Sequence, residues 1–595
     1  MKQILSYMLA ITPLLTFAKS FPVTSWDISA ADETGWGESI PTTKTDFGAG
    51  VFDAAYPTAL RATGDLSIWR LNFKAAASGT VFDLAEDGNH RVKLTDTTSN
   101  YYGFQFNCNE SVFMFKGGVW DFNSTQCLAL GYPKYGNTLI FDQAVLTNVL
   151  KVVLSYTESN NNNYGHTLVL TNSTLLNTKG DFMLGELGGF DNTVEINAGC
   201  KVSVKGKVLS ESDGTVRGDA NMKMTVRGEG AALSAPTVRW GVTSAGNRLK
   251  IENDAEVTCG TLDMGLNATA SNNVVVVNGG SRFSTSTAAY VGDKSANNAL
   301  IISNSTYKIA GGTLIIGKEA GATNALLRIA GSAAGLDRQS LTWTDDGPFG
   351  AAGYGVFELA DHVLLSNNVP SMTIGKISDG NVFRLTDGAK ILPEGSGSLI
   401  YTAGAPASGQ TAATKDNRIE ILNDSSVRCY RLTAKGDNCG IVVSDSAVEI
   451  VNSYEHGVIL GGSGATNNYL RLEGGSPTVK TSWDINGINM SDGARLEFVL
   501  PPTPYSEEVL HVCKIKADST CALTFDTSAI DGTSHDRLRY HLAKIRYKDN
   551  AAALDESVLA AANAELAPKG GSLAWEGQDL YLTFKSNKGL MLIFR

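Results

Sequence analysis

The side chains that suggest ligand chemistry in this chain are concentrated at two long polar stretches, residues 344–354 and residues 402–416. Asp345 and Asp346 form an acidic doublet in the first stretch, and glycoside hydrolysis requires two carboxyl groups about 5–9.5 Å apart. Aromatic rings beside such a pair can stack on sugar rings. The candidate ligand-binding residues are Trp343, Asp345, Asp346, Phe349, Tyr354 and Tyr401. The alternative interpretation is that both stretches are surface insertions without a ligand.

Other catalytic and metal-binding motifs are missing from the sequence. It contains no P-loop, HExxH helix, EF-hand loop, GxSxG elbow or GGxGxDx calcium repeat. The Asn-Thr-Asp, Gly-His-Gly and Arg-Ile-Lys strings of polygalacturonase-like enzymes do not occur either. His166, His362 and His456 are too far apart along a stack of repeats to share one site. We therefore assign no catalytic residue, no metal and no cofactor.

Composition narrows the class of protein. Apolar residues make up 43% of the chain, which excludes wholesale disorder, and 62 glycines with only 15 prolines exclude collagen. The chain of 595 residues is too long to fold around one compact core, so several domains or one elongated stack are expected. The 49 basic and 60 acidic residues give a net charge of −11. Because a negative surface repels phosphate, we expect no nucleic-acid partner.

The first twenty residues have the pattern of a secretory signal peptide. Lys2 precedes an apolar run over residues 4–17, and Ala18 and Ser20 put small side chains at the positions preferred before a cleavage at Phe21. An N-terminal anchor or a buried strand is the alternative. No later run reaches 18 apolar residues, so we expect no transmembrane segment in the mature chain. The pattern predicts an exported protein, either secreted or at the cell surface.

The eight cysteines are consistent with an exported protein. No CxxC motif occurs, which weighs against zinc and thioredoxin-like chemistry. Export permits disulfides, and the pairs Cys429/Cys439 and Cys513/Cys521 are close in sequence. We expect at least one of these local pairs to be bridged, although the sequence does not establish connectivity.

A repeat of about 26 residues runs through the middle of the chain. Each unit begins at an Asn, or at a residue in its place, and continues into an alternating strand. The units start at Asn137, His166, Asn192, Asn221, Asn247, Asn273, Asn298, Asn324, Gly355, Asn381, Asn417, Gly440 and Asn468. Nine of the twelve spacings are 25–29 residues, which is too regular for chance. A Gly-led turn ends most units, so each unit predicts three short strands.

The alternation within a unit predicts how the units pack. Leu249 and Ile251 fall on one face of a strand, whereas Lys250 and Glu252 fall on the other. One unit cannot cover its own apolar face, so it must stack on the next. The sequence thus predicts an all-β fold, a single-stranded parallel β-helix that forms a right-handed solenoid of about 26 residues per coil.

Two further patterns follow from this stacking. The recurring Asn predicts a ladder of side chains that hydrogen-bond from coil to coil; a ligand or glycan site is the alternative. Outward-facing charges alternate in sign along the stack, which is typical of a solvated face. The alternating residues are Glu358, Arg384, Glu420 and Arg471.

The ends of the chain depart from the repeat. An open β-helix end exposes unpaired strand groups, so caps are expected at both ends. The predicted organisation is a signal peptide at 1–20, an N-terminal cap with the first irregular coils at 21–136, β-helix repeats at 137–500, and a C-terminal β-rich cap or small domain at 501–595. The last region contains one helix-like stretch, residues 555–566, and strand signals near residues 580 and 590.

The units at residues 288–306 and 311–332 resemble the degenerate repeats of bacterial autotransporter passengers and of PEP-CTERM-associated repeat proteins. The similarity covers roughly residues 165–475 and does not include a translocator barrel or a sorting tail. It implies a pectin-lyase-like parallel β-helix that is exported from a bacterial cell and is surface-displayed or adhesive.

Two hypotheses about function follow. The first is a secreted or cell-surface β-solenoid with a structural or adhesive role and no catalysis, whose partners are polysaccharide or other surface proteins. The second is a polysaccharide-active lyase or glycoside hydrolase with a cleft near 344–354 and 402–416. Binding of a polysaccharide without cleavage would favour the first hypothesis.

Overall fold

The structure is a computed structural model, and its described residues cover most of the chain beyond residue 48. They are 49–52, 60–61, 65–68, 70–74, 78–79, 81–84, 90–95, 101–102, 104–130, 135–155, 164–186, 189–211, 220–310, 313–319, 321–338, 355–365, 372–375, 379–393, 400–404, 413–451, 457–462, 464–481, 487–530, 535–546 and 554–586. The predicted signal peptide lies outside them.

The chain divides into two compact units, and each is a stack of coils built from short parallel strands. The first unit is Met1–Ile301 with Ser305–Lys308, and the second is Ile302–Asn304 with Ile309–Arg595. The predicted parallel β-solenoid is confirmed, with about 27 residues per turn. The first strands of successive coils form one sheet in each unit, and the second and third strands cover the other sides of the coil.

The first sheet of the first unit extends over nine strands whose pairing is parallel and in register. They are Leu60–Arg61, Val81–Asp83, Val112–Lys116, Thr138–Asp142, Thr167–Thr171, Thr193–Ile196, Lys223–Arg227, Arg248–Glu252 and Val274–Asn278. The second and third strands of these coils are Leu66–Ile68, Arg91–Leu94, Tyr101–Tyr102, Val119–Asp121, Gln126–Leu130, Val145–Thr147, Val152–Leu154, Thr174–Thr178, Phe182–Met183, Lys201–Val204, Lys207–Leu209, Ala232–Trp240, Glu256–Met264 and Arg282–Val291. A three-stranded parallel sheet contains Ala49–Phe52, Arg70–Lys74 and Phe104–Asn107.

The second unit keeps three separate sheets. Its first sheet contains Leu326–Ala330, Val356–Ala360, Val382–Leu385, Arg418–Leu422, Gly440–Ser444, Tyr469–Glu473, Arg495–Val499 and Ala522–Asp526. Its second sheet contains Leu364–Leu365, Lys390–Ile391, Ser426–Cys429, Ala447–Ile450, Thr478–Thr481, Leu510–Val512, Leu538–Ile545, Asp579–Phe584 and Gly571–Glu576. Its third sheet contains Met372–Ile374, Ile400–Ala403, Arg431–Ala434, Val458–Leu460, Gly487–Met490 and Lys514–Ala517.

Four strands complete the list. Thr313–Ile316 and Gly335–Arg338 belong to the second unit, whereas Ala299–Ser303 and Thr306–Ile309 contain residues of both units.

Each coil is held by the apolar side chains that point inward. Leu249 and Ile251 are fully buried as predicted, and burying a side chain of this size contributes about 1.5–3 kcal/mol. Equivalent rings also stack from coil to coil: Phe115 lies 4.9 Å from Phe82 and 5.1 Å from Phe141, measured between ring centroids. The core therefore consists of columns of equivalent side chains, with one column for each inward-facing position of the coil.

The predicted Asn ladder is confirmed. The backbone N–H of Asn247 donates to Asn273 Oδ1 at 3.0 Å, and that of Asn273 donates to Asn298 Oδ1 at 3.1 Å. In the second unit the backbone N–H of Asn381 donates to Asn417 Oδ1 at 2.9 Å. These five side chains are buried, so the alternative of glycan attachment is wrong for them.

The predicted register is wrong by one residue at three coils. The ladder position is occupied by Met222, Ala325 and Cys439, not by Asn221, Asn324 and Gly440. The residue before the ladder position has a left-handed backbone, which Gly, Asn and Asp tolerate best. These left-handed residues are Gly136, Gly165, Asp191, Asn221, Gly246, Asn272, Asn297, Asn324, Gly380, Asp416, Asn438 and Asn467. Asn thus serves two adjacent positions, and the sequence pattern does not separate them.

The C-terminal part of the second unit ends in an antiparallel arrangement. The predicted helix is present as Glu556–Leu566, and the Asp555 side chain accepts a hydrogen bond from the backbone N–H of Ser557. A short 3₁₀ helix, Ala567–Lys569, leads into Gly571–Glu576, which pairs with Asp579–Phe584. The strand signal near residue 590 lies outside the described residues. Among the described helices, none is long and apolar enough to cross a membrane.

The expected disulfides are not formed, and all eight cysteines are buried free thiols. The members of each local pair lie on different sides of a coil: Cys429 is on the second sheet, whereas Cys439 precedes a strand of the first. Burial raises the pKa of Cys127 to about 11 and that of Cys439 to about 12. Since a thiolate is the reactive form, burial disfavours the reactive form of both thiols.

Candidate functional site

The residues that the sequence singled out fall largely outside the described part of the chain. Trp343, Asp345, Asp346, Phe349 and Tyr354 lie there, as does most of the stretch 402–416. Tyr401 is described, and its ring is buried 5.8 Å from the ring of Phe383. Its hydroxyl has no hydrogen-bond partner among the described residues, and burial raises its pKa. Tyr401 therefore belongs to the core, and the ligand site at this corner stays a prediction.

A different group of polar side chains converges on the outer face of the first sheet in the second unit. The central outward residue of each strand lies opposite its counterpart on the next strand. We call this file the outer charge row; it consists of Arg328, Glu358, Arg384, Glu420, Val442, Arg471 and Glu497. Its order confirms the predicted alternation of charge, with one interruption at Val442.

Ion pairs connect the row on both sides of the interruption. Arg384 contacts Glu358 at 3.3 Å and Glu420 at 2.7 Å. On the other side Arg471 Nη1 lies 3.9 Å from Glu497 Oε2. Glu420 and Arg471 have Val442 between them, so the row contains one place where a carboxylate and a guanidinium face each other across an uncharged strand.

The uncharged strand, Gly440–Ser444, forms the floor of a depression. It has Gly440 and Val442 where the flanking strands carry long side chains. The depression has a volume of about 500 Å³ and is lined by three arginines and three glutamates together with Tyr469. The charged residues are Arg418, Glu420, Arg471, Glu473, Arg495 and Glu497. We call this depression the Tyr469 pocket.

Tyr469 is held in one place by its neighbours. A β-carbon on Gly440 would come within 2.1 Å of Tyr469 Cζ, so the ring occupies the space that a side chain at 440 would fill. The guanidinium carbon of Arg495 lies 5.7 Å from the ring centroid, within reach of a cation–π interaction. Arg418 hydrogen-bonds the phenol, and burial raises the pKa of Tyr469. The ring is therefore a neutral, fixed surface at neutral pH.

The charged groups of the pocket are fixed by pairs within and between strands. Arg471 Nε lies 2.8 Å from Glu473 Oε2, and Arg495 Nε lies 2.9 Å from Glu497 Oε1. Arg495 Nη2 also donates to Asn438 Oδ1 at 3.4 Å. The arginine side chains are nevertheless 33–45% exposed, so they can also donate to a ligand. Because strands hold all six charged residues and Tyr469, the pocket is pre-formed.

The arrangement can bind a ligand whose polar groups both donate and accept hydrogen bonds. Guanidinium groups only donate, carboxylates only accept, and the two types alternate around the pocket. Within the described residues, no cluster of three or more His, Cys, Asp or Glu side chains has the geometry of a metal site. The pocket thus offers recognition by hydrogen bonds and by one aromatic ring.

The sequence analysis missed this pocket, although the sequence contains a signal for it. The segment Gly440–Ser444 is uncharged, whereas the flanking segments Arg418–Leu422, Tyr469–Glu473 and Arg495–Val499 each carry outward charges. An interruption in an otherwise alternating row would have identified the strand. The alternation of sign alone does not reveal it, because Glu420 and Arg471 are opposite in charge although Val442 lies between them. In comparisons with known proteins, no family model, no curated protein and no solved structure matches the chain.

Proposed function

We propose that this protein is an exported, non-catalytic β-solenoid with an adhesive role, and that it contacts neutral polysaccharide through the Tyr469 pocket. The observation that carries the proposal is the pre-formed pocket that three arginines, three glutamates and one fixed tyrosine line together. A sugar hydroxyl both donates and accepts hydrogen bonds, so it can bridge a guanidinium and a carboxylate at once. The ring of Tyr469 adds an apolar surface for a sugar face.

Charge balance favours a neutral ligand. Three arginines and three glutamates line the pocket, so their formal charges cancel. An anionic ligand would gain from the arginines and lose to the glutamates at similar distances. A neutral polyol meets no such opposition and uses both kinds of side chain.

The solenoid supplies the rigidity that an adhesive surface needs. The buried Asn ladder and the stacked core residues fix each strand relative to the next. A ligand therefore binds without ordering the protein first, which keeps the entropic cost low. The signal-peptide pattern at residues 1–20 and the resemblance to surface-displayed repeat proteins support export.

The test uses the full mature chain and a panel of immobilised neutral polysaccharides, including mannan, galactan and xylan. We expect retention on at least one of them, with loss of about tenfold or more in affinity in Tyr469→Ala and in Arg471→Ala. Arg328→Ala is the matched control, because Arg328 lies in the same outer charge row but outside the pocket.

The same incubation is assayed for new reducing or unsaturated sugar ends. Retention that is equal in the pocket variants and in the control would contradict the proposal. Release of sugar ends would instead support the polysaccharide-active enzyme predicted as the alternative.

A further inference from the structure

A second row of charges crosses the outer face of the second sheet in the second unit. Register places Arg428 opposite Glu449, Glu449 opposite Lys480, and Lys544 opposite Asp579. Each of these neighbouring pairs joins opposite charges, as in the outer charge row. The pattern fails only in the middle of the row, where His511 lies between two lysines.

The middle of this row places basic groups side by side. Lys480 is opposite His511, and His511 is opposite Lys544. Lys480 and Lys544 have no ion partner within the described part of the chain. The middle of this row therefore contains two lysines and no carboxylate, on a chain whose net charge is −11.

One carboxylate faces this group. Glu508 Oε1 lies 2.7 Å from His511 Nδ1. Burial raises the pKa of Glu508, but the hydrogen bond and the charge attraction of His511, with a further contribution from His541, lower it below its usual value. His541 is itself bonded to Asp579 at 2.8 Å. Glu508 and Asp579 thus hydrogen-bond to the histidines, and neither forms an ion pair with Lys480 or Lys544 within the described residues.

A cavity of about 220 Å³ opens beside His511 and Lys544. Its rim is formed by Thr481, Cys513, Arg546 and Gln578, and no carboxylate is among the described residues that line it. Gln578 Nε2 donates to the Arg546 carbonyl at 2.8 Å, and the backbone N–H of Arg546 donates to the Val512 carbonyl at 3.3 Å. These bonds fix the backbone at Arg546, whose side chain is exposed at the rim. We call this cavity the His511 pocket.

We propose that the His511 pocket binds an oxyanion group, sulfate or phosphate, carried by a larger ligand. Lys544 supplies a point charge, and Arg546 supplies the planar fork that matches two oxygens of such a group. A bound oxyanion would also place a negative charge beside Lys544, in the part of the row that has no carboxylate. The site lies on a different sheet from the Tyr469 pocket, so the two proposals are independent.

The test is calorimetric titration of the full mature chain with defined probes. Inorganic sulfate and inorganic phosphate test whether the oxyanion binds without the rest of a ligand. A sulfated heparin oligosaccharide against its desulfated form, and glucose 6-phosphate against glucose, identify the source of the oxyanion. We expect a charged probe to bind and its uncharged counterpart not to bind. Binding in the double variant Lys544→Gln/Arg546→Gln should weaken about tenfold or more.

The matched control is Lys514→Gln/Lys516→Gln, which removes two positive charges from the strand Lys514–Ala517 on the third sheet. It should bind as the parent does, and so should Tyr469→Ala. If the double variant unfolds, Lys544→Gln alone replaces it, because Lys544 is exposed. Failure of all charged probes to bind, or equal loss in both double variants, would overturn the proposal.

Discussion

The ring of Tyr469 lies over Gly440 of the neighbouring strand, in register with it, so closely that a β-carbon on Gly440 would come within 2.1 Å of the ring. The Tyr469 pocket therefore depends on a missing side chain as much as on the residues that line it. Gly440 leaves the floor open, and Tyr469 turns into that space beside Arg418 and Arg495.

Gly440→Ala is expected to displace the tyrosine ring. Overpacking of this kind lowers the free energy of unfolding by about 1–3 kcal/mol, and the altered pocket should retain less polysaccharide. Chemical denaturation and polysaccharide retention measure the two effects. Gly475→Ala is the control, because the nearest atom to its added β-carbon would be Asp445 Oδ1 at 3.7 Å, an ordinary contact. Equal stability of the two variants would contradict this account.

Asn273→Ala is expected to destabilise the first unit through the ladder. Asn273 Oδ1 accepts hydrogen bonds from the backbone N–H of Asn247 at 3.0 Å and from its Nδ2 at 2.9 Å. Removing the amide leaves the buried backbone N–H of Asn247 unsatisfied, whereas its Nδ2 keeps Glu211 Oε2 and the Ser244 carbonyl as acceptors. The unsatisfied donor costs about 1–3 kcal/mol. Urea denaturation followed by circular dichroism measures the loss. The exposed Thr258→Ala should change stability by less than about 0.5 kcal/mol; a similar effect for both would show that the ladder is not a stabilising element.

The sequence predicted the coil because its evidence is repeated in every unit. Alternating pairs such as Leu249 and Ile251 recur with each strand, and a local error in one unit does not change the period. The Asn ladder was predicted for the same reason. Its register failed at Asn221 and Asn324 because Asn suits both the buried ladder position and the left-handed position before it.

The candidate site could not be predicted in the same way. Tyr401 stands next to a polar stretch that begins at Thr402, so the sequence suggested an exposed ring. The pairing of the strand Ile400–Ala403 shows instead that the ring points into the core. The Tyr469 pocket depends on one strand that breaks a pattern, and it becomes visible only when the strands are in register. Cysteine pairing failed because closeness along the chain does not put two side chains on one side of a coil.

Asp121→Asn is expected to reduce both stability at neutral pH and the sensitivity of the first unit to acid. Burial raises the pKa of Asp121, but hydrogen bonds from Asn148, Arg91 and the backbone of Asn123 outweigh it and lower the pKa below the usual 3.8. The folded pKa lies below the unfolded one. This stabilisation is therefore present above about pH 4 and is lost as the pH falls through the folded pKa.

The loss at neutral pH should be about 1–3 kcal/mol, as for hydrogen bonds to a charged group. Melting temperatures of the variant and the parent should converge as the solution is acidified from pH 7 toward pH 3. Asp424→Asn is the control, since the Asp424 carboxylate is exposed and has no hydrogen bond within the described residues. Parallel melting curves for Asp121→Asn and the parent at every pH would contradict the assignment.

Asn563→Ala is expected to expose the edge of the second sheet. The strand Gly571–Glu576 is the last of that sheet, and an unpaired edge can add a strand from another molecule. Asn563 Nδ2 donates to the Leu573 carbonyl at 3.0 Å, and the backbone N–H of Leu573 donates to Asn563 Oδ1 at 2.7 Å. The helix thus bonds to the edge strand through one side-chain amide. This amide occupies the backbone N–H and carbonyl of Leu573, which a strand from a second chain would otherwise bond. Sedimentation velocity of Asn563→Ala should show concentration-dependent self-association, whereas Glu565→Ala, an exposed change on the same helix, should sediment as the parent does. Identical sedimentation of all three proteins would mean that this amide does not protect the edge.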